Sequence, residues 1–109
     1  MSERLYLGID VGTGSARAGL FDSGGVRFGV GVCPFPMWRP EEDFAEQSSD
    51  AIWDACGQAV RAALTEAGVD GTAVAGVGFD ATCSLVALDE EDRPVTVSPT
   101  GDDRQNVIV

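Results

Sequence analysis

Residues 5–22 read LYLGIDVGTGSARAGLFD, two short apolar segments joined by a turn that is rich in glycine. The first segment ends at Asp10, and in the second segment every other residue is apolar, which is typical of a half-buried strand. A further alternating segment covers residues 26–32 and follows a second glycine turn. The pattern predicts three consecutive antiparallel strands.

The next part of the chain predicts a loop and then one helix. Residues 34–47 contain three prolines and are expected to form a loop. Over residues 49–67, apolar side chains recur at three- and four-residue spacing, which predicts an amphipathic helix. Candidate N-cap residues stand at 48–50, and Gly68 is suited to the C-terminal end.

Two more strands are predicted after the helix. Residues 73–79 are apolar on both faces, as expected of a buried, parallel, central strand, and a break at 80–83 precedes a strand at 84–88. The order is βββ-α-ββ, with the helix crossing back to the sheet. This order predicts an α/β layer with a mixed sheet and differs from the alternating βαβ units of a dinucleotide-binding domain.

Composition excludes several kinds of chemistry. The net charge is −11, from eighteen acidic residues and seven basic ones, and every basic residue is Arg. A chain without Lys has no Walker-type phosphate loop, and one without His has neither a Ser-His-Asp triad nor a His-containing zinc site. The acidic surface argues against nucleic acid or anionic membranes as partners.

The expected location is the cytoplasm. No apolar run approaches the roughly 20 residues of a membrane span, and the first residues show no signal-peptide pattern. The cysteines Cys33, Cys56 and Cys83 show no C-x-x-C spacing and are expected to be buried, reduced thiols.

The turn after the first strand is the candidate site. A tight hairpin can present consecutive backbone N–H groups to phosphate oxygens, and the hydroxyls of Thr13 and Ser15 would add donors. Arg17 could add a positive charge, and Asp10 could hold Mg²⁺ through water. The alternative is a glycine-rich β-turn in which Asp10 caps its own backbone. Spacing alone leaves both interpretations open.

Three blocks of sequence carry a resemblance to a known family. The pattern Asp-x-Gly-Thr-x-Ser-x-Arg resembles the first phosphate motif of the superfamily of sugar kinases, heat-shock chaperones and actin, and within it the FGGY carbohydrate kinases match best. That pattern is formed by Asp10, Gly12, Thr13, Ser15 and Arg17. Residues 76–86 are similar to a segment of D-ribulokinase-like and ribitol-kinase-like members. Residues 102–109 resemble the run that leads into a Trp-Met-Asp-His-Arg-like motif, which is absent here.

The resemblance implies a ribonuclease H-like fold, of which residues 1–109 would form a truncated N-terminal domain without the C-terminal domain. Its expected parts are a phosphate-binding hairpin at 5–22, a helix at about 49–67 and a substrate-loop segment at 79–84.

It also implies the roles of individual residues. The β- and γ-phosphates of ATP would be bound by Gly12, Thr13, Gly14, Ser15 and Arg17. Asp10 would position Mg²⁺ or its water. The sugar-contacting loop would include Asp80, Ala81, Thr82 and Cys83, with a strand-to-strand turn around a buried thiol as the alternative. The catalytic base is expected beyond Val109.

The implied reaction is transfer of the γ-phosphate of ATP to a hydroxyl of a pentulose or pentitol, with D-ribulose or ribitol favoured. The 109-residue piece alone is expected to be inactive, and a homodimer is a possible assembly. Two alternatives remain: another ATPase of the same superfamily, or a binding fragment without catalysis.

Overall fold

A computed structural model describes residues 4–98 and 101–109 of the chain. Residues 1–3 and 99–100 of the expected domain lie outside the described residues. The strands and the helix follow in the order β1 (Leu5–Val11), β2 (Ser15–Phe21), β3 (Arg27–Pro34), β4 (Glu46–Gln47), α1 (Ser49–Ala67), β5 (Val74–Ala81), β6 (Leu85–Val86) and β7 (Val107–Ile108). A single 3₁₀ turn (Gly71–Ala73) precedes β5.

The main sheet has four strands in the order β3-β2-β1-β5. β1, β2 and β3 pair antiparallel, and β5 pairs parallel with β1, so the predicted hairpins and the crossover are confirmed. β5 lies at the edge of the sheet in the described part of the chain. Val77 is 56% exposed and Phe79 is 62% exposed, so the prediction of a buried central strand is wrong for these residues. The physical reason is that α1 packs on β2 and β3 and leaves β5 uncovered.

Helix α1 has the ends that the sequence predicts. The Ser48 side chain accepts a hydrogen bond from the Ala51 N–H at 3.1 Å, and Gly68 adopts the left-handed conformation with φ 71°. The buried helix face consists of Ala55, Cys56, Ala59 and Ala63. Nowhere in residues 4–98 and 101–109 does a helix combine the length and apolarity needed to span a bilayer.

Two glycines of β3 let the helix approach the sheet closely. A Cβ atom at Gly29 would lie 2.2 Å from the Ala63 carbonyl oxygen, and one at Gly31 would lie 2.0 Å from that of Ala59. Both distances are far below van der Waals contact, so only glycine fits at either position. The close approach fixes the position of α1 on the sheet.

A second, three-stranded sheet has the order β4-β7-β6 and lies outside the predicted pattern. Its strand β4 falls inside residues 34–47, which the sequence predicts as a loop. Each of these strands is only two residues long, too short for a periodic pattern to reveal. The predicted strand at 84–88 is correspondingly reduced to Leu85–Val86.

The second sheet contains a buried polar cluster as well as the buried side chain of Val107. The Gln105 side-chain amide donates to the Glu46 carboxylate at 3.0 Å. The Asn106 amide donates to the Ser49 hydroxyl at 2.8 Å, and its oxygen accepts from the Ser49 N–H at 2.9 Å. The cluster therefore joins the second sheet to the first turn of α1.

Candidate phosphate-binding turn

Three residues, 12–14, connect β1 to β2, and Ser15 is the first residue of β2. The strands pair up to Val11 and Ala16, and the Gly12 N–H then donates to the Ser15 carbonyl at 2.9 Å. This hydrogen bond closes the turn at the end of β1. The sequence-predicted residues Gly12, Thr13, Gly14 and Ser15 are therefore brought together in one small loop.

The carbonyl groups at the tip of this turn are bonded to the protein. The Thr13 carbonyl accepts a hydrogen bond from the Gln47 side-chain amide. The Gly14 carbonyl accepts one from the Phe35 N–H at 3.1 Å. In contrast, the N–H groups of Thr13 and Gly14 donate to no group among residues 4–98 and 101–109. Within the described residues the two carbonyls at the tip are thus occupied and two N–H donors are free, which suits an anion.

Gly14 is not required by the backbone conformation of the turn. Among the described glycines only Gly25 and Gly68 have positive φ. A Cβ atom at Gly14 would meet no heavy atom within 4 Å in the part of the chain that the structure describes. Since neither strain nor crowding in this chain calls for glycine there, the missing side chain leaves room for a group that approaches the turn from outside.

Asp10 and Arg17 are directly opposite each other on β1 and β2 and form an ion pair. The side chains are 48% and 47% exposed, respectively, so both remain accessible. Arg17 lies against the turn, because a Cβ at Gly12 would be 2.6 Å from its Nη2 atom. The Asp10 carboxylate bonds to this guanidinium and to no backbone N–H in the described residues. Capping of its own backbone by Asp10, one part of the alternative, is therefore not seen among the described residues, and phosphate binding by the turn stays a prediction.

A second carboxylate lies beside Asp10. Asp80 of β5 is the parallel-strand partner of Asp10, on the sheet face opposite α1. Within the parts of the chain that the structure describes, no three metal-ligating side chains cluster together. Mg²⁺ is usually held by one or two carboxylates together with waters and substrate phosphates. The free N–H groups and the accessible Asp10 carboxylate fit a Mg²⁺-bound phosphate chain.

The predicted sugar-loop residues lie next to this turn. β5 continues through Ala81, so Asp80 and Ala81 belong to the strand and the predicted break begins only at Thr82. The Thr82 N–H donates to the Val11 carbonyl at 3.3 Å, which holds the start of the loop against the end of β1. The two predicted sites therefore share one edge of the sheet, at the carboxyl ends of parallel strands.

The cysteines differ from the prediction. Cys56 is buried, whereas Cys33 is half-buried and Cys83 is exposed. Burial raises the pKa of the Cys56 thiol, with a smaller contribution from Cys33. The alternative of a turn around a buried thiol at Cys83 is wrong, and that side chain is open to a ligand.

Sequence reasoning missed two residues that shape the turn. Phe35 and Gln47 both fall in the segment predicted as a loop, and each bonds to a turn carbonyl. Neither residue belongs to a periodic pattern. The one feature of the sequence that could have indicated Gln47 is its position as an amide side chain directly before the helix N-cap residues.

Comparison with known proteins agrees with the resemblance. Residues 5–107 match the N-terminal domain of the FGGY family of carbohydrate kinases. The chain is 45% identical over 107 residues to the human FGGY carbohydrate kinase domain-containing protein, with 98% of this chain and 19% of that protein covered. It is 41% identical over 109 residues to D-ribulokinase of Saccharomyces cerevisiae, with 97% of this chain and 15% of that protein covered.

The fold agrees with a solved structure as well. A crystal structure of a xyloylose kinase from Brucella ovis superimposes with a TM-score of 0.75 at 28% identity and covers 83% of this chain and 19% of that chain. The chain thus spans about a fifth or less of the length of the relatives that it matches. From the family match over residues 5–107, this chain belongs to the FGGY family of carbohydrate kinases.

Proposed function

We propose that the full-length protein transfers the γ-phosphate of ATP to a hydroxyl of a pentulose or pentitol, with D-ribulose and ribitol as the first candidates. The observation that carries the nucleotide site is the turn at 12–15, where the tip carbonyls are bonded to the protein and the N–H groups of Thr13 and Gly14 have no partner in the described part of the chain. Similarity to a D-ribulokinase supports the choice of a five-carbon acceptor.

Each residue of the proposed nucleotide site has a separate task. The free N–H groups of the turn, with the hydroxyls of Thr13 and Ser15, would bind phosphate oxygens. Asp10 would hold Mg²⁺, which neutralises phosphate charge when bound, through its waters. Arg17 would keep the Asp10 carboxylate oriented and add positive charge beside the turn.

The proposed sugar site is the exposed segment of Asp80, Ala81, Thr82 and Cys83. Thr82 is hydrogen bonded to the end of β1, and its hydroxyl lies 3.2 Å from that of Ser84. These hydroxyls can both donate and accept, as recognition of a polyol requires. Their position beside the turn would bring an acceptor hydroxyl close to the terminal phosphate, which is the main demand of phosphoryl transfer.

The catalytic base is proposed to lie in the part of the protein beyond Val109. The 109-residue chain alone is therefore expected to give no ATP-dependent phosphorylation of any sugar. We further propose that the whole protein acts in the cytoplasm and without nucleic acid or membrane partners.

The test is a coupled ADP-release assay of the full-length protein against a panel of pentuloses and pentitols. We expect turnover with at least one of them, and a loss of about a hundredfold or more in the Asp10→Asn variant, because it removes a charge at the metal. Asp54→Asn, an exposed carboxylate on α1, is the matched control and should retain full activity. Equal activity of the two variants, or ATP hydrolysis that no sugar stimulates, would contradict the proposal.

A further inference from the structure

We propose that Gln47 is a positioning residue that aims the Gly14 N–H of the phosphate-binding turn outward; the inference rests on the proposed nucleotide site. Gln47 lies on β4, in the second sheet, and is 34 residues from Thr13 along the chain. Its side-chain amide donates a hydrogen bond to the Thr13 carbonyl. Only 1% of Gln47 is exposed, so this amide has no water as an alternative partner.

Because a peptide group is planar, this hydrogen bond also fixes the direction of the Gly14 N–H. In a planar trans peptide the C=O and the following N–H point in opposite directions. Because Gln47 holds the Thr13 carbonyl toward the protein, the Gly14 N–H must point away from it. Rotation of this one peptide would place a carbonyl oxygen where a phosphate oxygen is to be bound, and two acceptors repel each other.

A second hydrogen bond acts in the same way on the next peptide. The Phe35 N–H holds the Gly14 carbonyl at 3.1 Å, which directs the Ser15 N–H to the opposite side. That donor is a backbone group and would survive a change of side chain. Gln47 is therefore the side chain through which the orientation of the turn can be tested.

Gln47 is itself held in place by the second sheet. Gln47 and Val107 are paired residues of β4 and β7. Its neighbour Glu46 is 3% exposed and accepts a hydrogen bond from Gln105. A surface amide would lose side-chain freedom on forming this contact, whereas a buried one has already lost it on folding. The placement makes the amide a fixed donor.

The residue type at 47 is also specific. Methionine has a similar length but no donor. Glutamate has the same shape, but an ionised carboxylate cannot donate and would face the Thr13 carbonyl with a negative charge. An amide of this length combines reach with an N–H group.

The experiment compares Gln47→Met with Gln105→Met in the full-length protein. Both variants remove a buried side-chain amide in or beside the second sheet. Among the described residues, however, Gln105 makes no hydrogen bond to the turn and bonds instead to Glu46 and the Asp102 N–H. We expect both to lower the melting temperature. Only Gln47→Met should raise KM for ATP, by about tenfold, because one preoriented hydrogen bond to phosphate is lost. KM for the sugar should not change in either variant.

Amide hydrogen exchange gives a second readout that does not depend on activity. A peptide covering residues 10–17 should exchange faster in Gln47→Met than in Gln105→Met or the wild type. If Gln47→Met fails to fold, Gln47→Glu keeps the shape of the side chain, and the same changes in KM and exchange are expected.

Equal KM values for ATP in the two variants, or equal exchange of residues 10–17, would overturn the role of Gln47. A wild-type protein that binds no ATP would overturn the proposed function instead. In that case faster exchange confined to the Gln47 variants would still establish that this amide holds the turn.

Discussion

Replacing Gly31 by alanine should destabilise the chain strongly, because the backbone of α1 occupies the space that the new methyl group needs. The Cβ would lie 2.0 Å from the Ala59 carbonyl oxygen, 2.9 Å from its carbonyl carbon and 2.9 Å from the Ala62 Cβ. Two of these three atoms belong to the backbone, so no rotation of a side chain can relieve the overlap. The helix must move away from β3, which opens the packing of Ala59 against the sheet.

Overpacking of a close contact typically costs 1–3 kcal/mol, and the rigid backbone here places Gly31→Ala at the upper end, about 3 kcal/mol. For a chain of this size the melting temperature should fall by about 10 °C or more. The measurement is urea and thermal denaturation of the 109-residue chain, followed by circular dichroism.

The matched control is Gly78→Ala, the same substitution in another strand of the same sheet. A Cβ at Gly78 would meet no atom of residues 4–98 and 101–109 within 4 Å, so we expect a change of no more than about 0.5 kcal/mol. If the two variants unfold at the same urea concentration, the close approach of α1 to β3 is wrong, and with it the stated reason for glycine in β3.

Three further outcomes are expected. In the full-length protein, Gly14→Ala should leave the melting temperature unchanged, since its Cβ meets no atom of the described residues within 4 Å. The same substitution should weaken ATP binding by about tenfold or more in an equilibrium titration. Side-chain and backbone hydrogen bonds from Arg104 lower the pKa of Asp102 in the folded chain. The ionised carboxylate therefore stabilises the fold above its ordinary pKa, and this stabilisation is lost as the pH falls through the lowered pKa. The difference in unfolding free energy between wild type and Asp102→Asn should be present at pH 7 and vanish in acid. A disulfide reagent should modify the exposed Cys83 quickly and Cys56 only on unfolding, because burial shields that thiol and raises its pKa; equal rates by mass spectrometry would contradict the packing of α1.

Much of the main sheet could be predicted because its signals are local. Alternation of apolar residues marked β1, β2 and β3, and the periodicity between Ser48 and Gly68 marked α1 with both of its ends. The candidate site at Asp10 and Arg17 follows from a short motif, whose spacing places the two residues opposite each other across the hairpin. In these cases the formation of the element depends on residues that are close together in the sequence.

The prediction that β5 is buried is wrong because burial depends on a second element as well as on the strand itself. The apolar composition of residues 73–79 shows that both faces of the strand could be buried, but another element must pack against the strand to bury them. In the described chain α1 packs over β2 and β3, so Val77 and Phe79 remain exposed. A strand's own sequence does not specify which of its neighbours will reach it.

By itself the sequence determined the hairpin, the helix, the acidic charge and the family to which the chain belongs. Each of these depends on composition, on residues that are close together in the sequence, or on motifs that occur in the same order as in the family. Only the tertiary structure decided that β4, β6 and β7 form a second sheet, and that Gln47 reaches the Thr13 carbonyl. Two-residue strands have no period, and a hydrogen bond between residues distant in sequence depends on where the packed elements finally lie. The orientation of the candidate phosphate-binding turn is therefore a property of the folded chain and of no single segment in it.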